Sequence, residues 1–205
     1  MRTLIFATNN KHKLQEVNEM LKGIATVLSI DDLVRDGHPE LADEIPETAE
    51  TLDGNALQKA QWVYQRTGMD CFADDTGLEV EALGGRPGVY SARYAGPHCS
   101  FDDNVNKMLA EMDGQSNRKA CFRTVVCLIE NQPDGTPSSP RYFEGRMDGS
   151  ILTERHGTDG FGYDPIFLPD GYQESFAEMT LDTKNSISHR GRAVRQLVEY
   201  LSKHQ

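Results

Sequence analysis

The chain has 205 residues, of which 38% are hydrophobic and 26% are charged, a composition typical of a folded globular protein and not of a disordered one. Its 21 Lys and Arg against 32 Asp and Glu give a formal net charge of −11, and such an acidic surface repels phosphate backbones and anionic membranes. We therefore predict no nucleic-acid or membrane partner. We expect a small anionic substrate only where basic residues gather or a metal bridges the charges.

Hydrophobic periodicity predicts a mixed α/β order of elements. In chain order, the first predicted elements are a strand at 3–7, a helix ended by Gly23, an acidic loop over 40–53 and a helix at Leu52–Thr67 with Gly68 as its C′ residue. A strand at 71–74 follows and, after a turn at Thr76-Gly77, a hairpin partner or an extension of that strand. The later ones are a helix that Ser100 and Asp103 open with a capping box, a central strand at 120–130, a strand at 141–149, a loop with a short strand over 157–167 and an amphipathic helix from Ser188. No repeat or composition break marks a separate domain.

The four cysteines form no CxxC pair, which favours free thiols over a disulfide or a zinc site. The N-terminal residues show no apolar segment followed by a small-residue cleavage site. No apolar run approaches the ~18 residues that a bilayer span requires. We therefore expect a cytoplasmic protein.

The stretch TNNKHK, residues 8–13, joins the first strand to the first helix. A helix N-terminus offers free backbone N–H groups and the positive end of its dipole, both of which favour phosphate. Lys11 and Lys13 oppose that dipole unless an anion compensates them. An ordinary helix cap explains the Thr and Asn residues equally well, so this stretch alone leaves both interpretations open.

Asp74 and Asp75 end the apolar stretch Cys71-Phe-Ala. Adjacent side chains of an extended segment face opposite ways, so we predict different roles for the two carboxylates. They also lack the DxD spacing of phosphatases that use an aspartyl nucleophile. Hard oxygen ligands at this point suit Mg²⁺, which takes one or two protein carboxylates plus substrate phosphates. The alternative is a turn with two solvated aspartates.

The acidic loop over 40–53 contains no Lys or Arg. A solvated loop is the usual explanation of such a run. One of its members, Glu47 or Glu44, is also a candidate for a second metal carboxylate, and position in the sequence does not choose between them.

The stretch DGFGYDPIF places Phe161 between two glycines, which lets a flat ring lie against the backbone. Phe161 or Tyr163 could stack on a nucleobase, and Asp164 could bind its polar edge. A structural corner is the alternative. Farther on, Lys184, His189 and Arg190 precede or open the last helix, a second cationic helix start; a lone histidine is more often structural, so Arg190 carries more weight.

Together these stretches resemble the family of inosine/xanthosine triphosphate pyrophosphatases, which remove non-canonical purine nucleotides. The resemblance covers nearly the whole chain through TNNKHK, GNALQKA, FADDTGLEVEALGGRPGVYSARYAG, GFGYDPIF and SHRGRA. The third and fourth blocks are the most specific. Gly54 is a departure, since the family often has Glu before this Asn-Ala pair.

The resemblance implies an α/β fold for residues 1–205: a single two-lobed domain, elongated, with a long twisted central sheet and two lobes flanking an active-site cleft. It implies that Asp75 is the catalytic acid-base residue and a Mg²⁺ ligand, with Glu47 preferred over Glu44 as the second carboxylate. The other implied substrate-binding residues are Thr8, Asn9, Asn10, Lys11, His12, Lys13 and Lys59 at the triphosphate, Thr76, and, around the base and sugar, Phe161, Gly162, Tyr163, Asp164, Lys184, His189 and Arg190.

The implied activity is hydrolysis of ITP, dITP and XTP to the monophosphate and pyrophosphate by a homodimer. The order of preference among the three does not follow from the residues. Two alternatives remain at this stage. One is a pyrophosphatase or phosphatase for other nucleotides, and the other is a nucleotide sensor without catalysis.

Overall fold

The computed structural model describes residues 1–204, which form seven strands and six α-helices. The elements are β1 (Arg2–Phe6), α1 (Lys11–Leu21), β2 (Ala25–Leu28), α2 (Ile30–Arg35), α3 (Leu52–Thr67), β3 (Cys71–Val80), β4 (Pro87–Gly88), α4 (Phe101–Glu111), β5 (Lys119–Ile129), β6 (Arg141–Ile151), β7 (Phe167–Pro169), α5 (Leu181–Ile187) and α6 (His189–Lys203). None of the helices in this described part combines the length and apolarity that a bilayer span requires.

The strands form one mixed sheet in the order β2-β1-β3-β5-β6-β7, with β4 paired to β3. β1 runs parallel to β2 and β3, whereas β4 and β7 run antiparallel to their partners β3 and β6. The prediction of a mixed α/β fold is therefore confirmed, and so is the central position of the strand near 120–130.

By its contacts the chain divides into two compact units, and the first boundary falls inside β3, between Asp75 and Thr76. Unit 1 contains Met1–Asp75, Val125–Glu144 and Ala193–Gln205, and unit 2 contains Thr76–Thr124 and Gly145–Arg192. The core of unit 1 packs α1 and α6 on the strands, with Phe6 and Phe72 stacked at 4.6 Å between ring centroids. The core of unit 2 is built around Phe122, Phe167 and Phe176.

Several helix boundaries follow the predicted capping chemistry. Ser100 and Asp103 form the reciprocal capping box at the start of α4. Gly68 ends α3 in the left-handed conformation with φ of 62°, which costs glycine little because it has no Cβ. The sequence does not predict the strand β2 or the helix α2, because each is short and lies beside elements with a stronger hydrophobic pattern.

The predicted turn at Thr76-Gly77 is wrong, because β3 continues without interruption from Cys71 to Val80. Of the two alternatives for the following stretch LEVEAL, residues 78–83, extension of the strand is confirmed for residues 78–80, whereas Glu81–Leu83 form a short 3₁₀ helix. Eight of the ten residues of β3 are buried, so both faces of this strand are covered. Burial of this kind overrides the local turn preference of a Thr-Gly pair.

Candidate functional site

Asn10 is the N-cap of α1 and connects it to β1. Its Oδ1 accepts hydrogen bonds from the backbone N–H groups of His12 at 3.0 Å and Lys13 at 3.2 Å. The hydroxyl oxygen of Thr8 in turn accepts from the N–H of Asn10 at 3.1 Å. The polar side chains of Thr8 and Asn10 therefore cap the start of α1, as the ordinary-cap interpretation requires. Three further candidates in this stretch, Asn9, Lys11 and His12, are exposed.

The two adjacent aspartates of β3 contact different helices. Asp74 is 1% exposed, and its Oδ1 accepts from Nζ of Lys13 in α1 at 2.9 Å. Asp75 is 7% exposed and lies against α3. Neither carboxylate belongs to a solvated turn. The two side chains have separate partners, as their alternation along an extended strand predicts.

Two side chains of α3 hold the Asp75 carboxylate. Nδ2 of Asn55 donates to Oδ2 at 3.2 Å, and Nζ of Lys59 donates to Oδ1 at 3.4 Å. The two residues are four apart and therefore lie on one face of the helix. Lys59 also donates to Oε1 of Glu47 at 2.5 Å, so one buried ammonium contacts two carboxylates. Glu44 is exposed and has no such contact among the described bonds.

Asn55 was not singled out from the sequence. The signal was present, because asparagine is a poor residue for a helix interior and stands one turn before a lysine on the same face. Its Oδ1 accepts from the N–H of Ala49 at 2.9 Å, which also fixes the end of the acidic loop. A Cβ on Gly54 would lie 2.7 Å from Cβ of Ala49, so close packing of this loop accounts for the glycine at that position.

The two carboxylates of this cluster, Asp75 and Glu47, have pKa values shifted in opposite directions. Burial raises the pKa of Asp75 above its usual range, and Lys59 and Lys13 only partly offset that effect. Burial also opposes ionisation of Glu47, but the nearby Lys59 ammonium outweighs it and lowers the Glu47 pKa. For Lys59, burial works against the charge, but Asp75 and then Glu47 raise its pKa above the usual value. Asp75 is therefore the stronger proton acceptor of the two carboxylates.

Two side chains of this cluster are of the type that binds a hard cation. Within residues 1–204 no group of three or more His, Cys, Asp and Glu side chains is assembled as a cation site. Two carboxylates, Asp75 and Glu47, do converge on one ammonium group. That is the number and type of protein ligands that Mg²⁺ uses when substrate phosphates and water complete its coordination. The donor set therefore fits Mg²⁺ bound together with a phosphate substrate.

In unit 2 the glycine-bracketed loop folds around the carboxylate of Asp164. Its Oδ2 accepts from the N–H of Phe161 at 2.9 Å and from Nζ of Lys184 at 2.6 Å. A Cβ on Gly160 would lie 2.2 Å from the same oxygen, and the φ of this residue is +74°. Only glycine fits this conformation and this close approach. Gly162 also has a positive φ, of 61°.

Cations surround the half-buried ring of Phe161. Nζ of Lys184 lies 4.9 Å and Cζ of Arg190 lies 5.6 Å from the ring centroid. Nη2 of Arg190 donates to the hydroxyl of Thr76 at 3.1 Å, and this hydroxyl lies 2.7 Å from that of Thr124. Thr124 was not predicted, and nothing in its local sequence distinguishes it from other strand residues.

Two of the predicted base-site residues lie inside the core of unit 2. The Tyr163 hydroxyl donates to the backbone oxygen of Ser91 at 2.6 Å, and burial raises its pKa. The buried ring of His189 stacks on Phe122, with 4.5 Å between centroids and 13° between planes. Of the two aromatic candidates for base stacking, Phe161 is therefore the accessible one.

The site residues described above fall into two sets, one in each unit. Unit 1 brings together Lys13, Asp74, Asp75, Asn55, Lys59 and Glu47. Unit 2 brings together Thr76, Phe161, Asp164, Lys184 and Arg190. The first set offers a basic carboxylate beside two ammonium groups, which suits phosphate chemistry. The second offers an aromatic face with hydrogen-bond donors, which suits a planar ligand with acceptor atoms.

Comparison with known proteins gives a family match over nearly the full chain. The model of the Ham1 family matches residues 4–200. A protein of Porphyromonas gingivalis named dITP/XTP pyrophosphatase is 50% identical over 98% of this chain and 98% of its own length. A protein of the same name from Flavobacterium johnsoniae is 47% identical over 97% of both chains.

Solved structures give the same result for the fold. A HAM1 protein from Coxiella burnetii is 35% identical, with a TM-score of 0.85 over 99% of this chain and 100% of that one. The Ham1 protein of Staphylococcus aureus is 32% identical, with a TM-score of 0.83 over 100% of both chains.

Proposed function

The chain belongs to the Ham1 family, and on that premise we propose that it hydrolyses ITP, dITP and XTP to the nucleoside monophosphate and pyrophosphate. The names of the relatives from P. gingivalis and F. johnsoniae support a dITP/XTP pyrophosphatase activity. The observation that carries the proposal is the buried Asp75, held between Asn55 and Lys59 beside a second carboxylate. A house-cleaning role in the nucleotide pool follows from this activity.

Asp75 is the proposed catalytic residue. A general base must be ionised at working pH and still bind a proton well, and burial moves the pKa of Asp75 upward in this direction. Asn55 and Lys59 fix both oxygens of the carboxylate, so its orientation is set before substrate arrives. In this proposal Asp75 accepts a proton from the water that attacks the substrate, and its raised pKa and fixed orientation support that role.

The phosphates of the substrate are assigned to the cationic side chains of unit 1. Lys13 and Lys59 supply positive charge beside Asp75, and the exposed Lys11 adds a further cation at the start of α1. Thr8 and Asn10, whose side chains cap the start of α1, are assigned to the phosphates at the positive end of the helix dipole. Asn9 and His12 complete the proposed phosphate contacts from the same stretch.

Asp75 and Glu47 are the proposed ligands of Mg²⁺, which when bound polarises phosphate oxygens and neutralises their charge. Excess chelator should therefore reduce pyrophosphate release from ITP to the background rate, because the buried carboxylate and the polyanionic substrate repel each other without the metal. The measurement is pyrophosphate release with and without EDTA, followed by readdition of Mg²⁺. Undiminished turnover in excess chelator would contradict this assignment.

The base is assigned to Phe161, Lys184 and Arg190 of unit 2. The hydroxyl of Thr76 accepts a hydrogen bond from Arg190. The remaining residues of this set support these contacts: Gly162, Tyr163, Asp164 and His189. Both cations are hydrogen-bond donors without acceptor atoms. They can bind the 6-keto oxygen of hypoxanthine or xanthine but not the 6-amino group of adenine. Phe161 provides the stacking surface.

From this chemistry we expect kcat/KM for ITP to exceed that for ATP by up to ~10⁴-fold, since a mismatched base leaves buried donors unpaired. The experiment that tests the whole proposal is a panel of nucleoside triphosphates with Mg²⁺, assayed separately for pyrophosphate and orthophosphate. GTP belongs in the panel because guanine also carries the 6-keto group. Comparable efficiency on ATP and ITP would refute the base assignment.

The products of the panel also decide between the alternatives. Release of orthophosphate alone indicates a phosphatase, and binding without turnover indicates a sensor. A cytoplasmic homodimer remains part of the proposal. The family resemblance supports the dimer, and the four free cysteines fit a reducing compartment.

A further inference from the structure

An exposed aromatic residue lies directly beside the proposed base-stacking ring. Phe101, the first residue of α4, keeps 45% of its surface exposed. Its ring centroid is 5.9 Å from that of Phe161, and the two ring planes are tilted by 48°. The two rings are therefore adjacent aromatic surfaces that meet at an angle, with Phe161 on one side and Phe101 on the other. No role followed for Phe101 from the sequence.

The loop that carries Phe161 is fixed to α4 at a second point. Nη2 of Arg155 donates to Oδ1 of Asn106 at 2.8 Å and lies 3.8 Å from Oδ1 of Asp102. Both partners of Arg155, the acceptor Asn106 and the ion-pair partner Asp102, belong to the first two turns of α4. Phe101 and Phe161 are therefore held side by side by contacts other than their own.

Hydrogen bonds hold the start of α4 in a fixed conformation. The Ser100–Asp103 capping box fixes the backbone on both sides of Phe101. The buried Asn104 accepts from the N–H of Ala95 at 2.8 Å and donates to the oxygen of Ala92 at 3.1 Å. An aromatic side chain on a backbone that is already fixed loses little conformational freedom when it binds a ligand.

We propose that Phe101 is a second aromatic wall of the base site and makes an edge-to-face contact with a purine stacked on Phe161. This inference rests on the proposed function, since it assumes that Phe161 binds the base. Aromatic pairs favour tilted and offset arrangements, and the tilt between the two rings matches that preference. A contact made to the base in both the bound substrate and the transition state acts on KM and leaves kcat unchanged.

The first test is Phe101→Ala, with Tyr172→Ala as the matched control. Tyr172 is also in unit 2 and is similarly exposed, at 41%. We expect KM for ITP to rise about three- to tenfold in Phe101→Ala, the range that one aromatic contact supplies, with kcat within about twofold. KM should stay unchanged in the control. Inhibition by inorganic tripolyphosphate, which has no base, should be equal in both variants and in the unaltered chain.

The second test separates direct contact with the base from support of Phe161. The chain has one tryptophan, Trp62, in unit 1, so Phe101→Trp combined with Trp62→Phe leaves a single reporter at α4. Saturating IMP should quench its fluorescence, whereas tripolyphosphate should not. KM for ITP in this double variant should lie within about twofold of its value in the unaltered chain, because tryptophan restores the aromatic face that Phe101→Ala removes.

These readouts distinguish failure of the inference from failure of the proposed function. A chain that releases no pyrophosphate from any nucleotide overturns the proposed function. Unchanged KM in Phe101→Ala, or a tryptophan signal that saturating IMP leaves unaltered while calorimetry shows IMP bound, overturns the role of Phe101 alone. A rise in the inhibition constant of tripolyphosphate equal to the rise in KM also overturns it, because such a loss is independent of the base.

Discussion

Replacing Asp75 with asparagine should lower kcat for ITP by at least ~10²–10⁴-fold, the usual loss when a general base is removed, with a further loss from the weakened metal site. Asparagine keeps the size of the side chain and can still accept from Asn55, but it takes no proton from water. Nucleotide should still bind through Lys13 and the base-site residues of unit 2. Steady-state kinetics and calorimetric titration with ITP measure the two effects separately.

The same variant should fold normally. The raised pKa means that folded protein holds the Asp75 proton more tightly than unfolded protein does, so the ionised carboxylate costs stability at neutral pH. A neutral amide removes that cost. Lys59 retains its contact with Glu47 at 2.5 Å, so no buried charge is left alone. We expect a melting temperature at or above that of the unaltered chain.

Asp74→Asn is the matched control, because it makes the same chemical change one residue away. Asp74 balances Lys13 at 2.9 Å in a buried position, so its neutralisation should lower the melting temperature. The loss in kcat should be smaller than for Asp75→Asn. A well-folded Asp74→Asn protein without activity, together with an active Asp75→Asn protein, would show that the two roles are reversed.

The parts of the fold that the sequence predicts are those with strong local signals. The capping box at Ser100, the αL glycine at Gly68 and the apolar run of β5 each act through neighbouring residues, and each is found in the structure. The predicted turn at Thr76-Gly77 is not found in the structure, for the opposite reason. Whether a Thr-Gly pair bends or extends depends on what covers the strand, and that information comes from residues far away in the chain.

The site shows the same limit. The alternation of Asp74 and Asp75 predicts separate partners, but only the structure identifies them as Lys13 and Lys59, which lie 61 and 16 residues away. Residue types alone left Glu44 and Glu47 equal, and they are separated by the contact with Lys59. Long-range pairing of this kind has no period or local motif in the sequence.

The largest effect on stability is expected at the Asp164–Lys184 pair of unit 2. Both groups are buried, with 2.6 Å between Nζ and Oδ2, and the same oxygen also accepts from the N–H of Phe161. Asp164→Ala would leave a buried ammonium and a backbone donor without this acceptor. Breaking one partner of a buried pair costs ~3–5 kcal/mol, which lowers the melting temperature of a chain of this size by about 10 °C.

The matched control is Asp148→Ala, which removes the carboxylate from a pair in the same unit at a similar distance. Arg146 and Asp148 are both 56% exposed, so water replaces the lost contact and the expected cost is about 0–1 kcal/mol. Asp164→Asn should fall between the two, because an amide oxygen can still accept from Phe161 but does not balance the charge of Lys184. Scanning calorimetry of the three variants measures the order. If Asp164→Ala melts no lower than Asp148→Ala, the buried pair does not hold the Phe161 loop, and the loop must be fixed by its glycine conformations and by Arg155 instead.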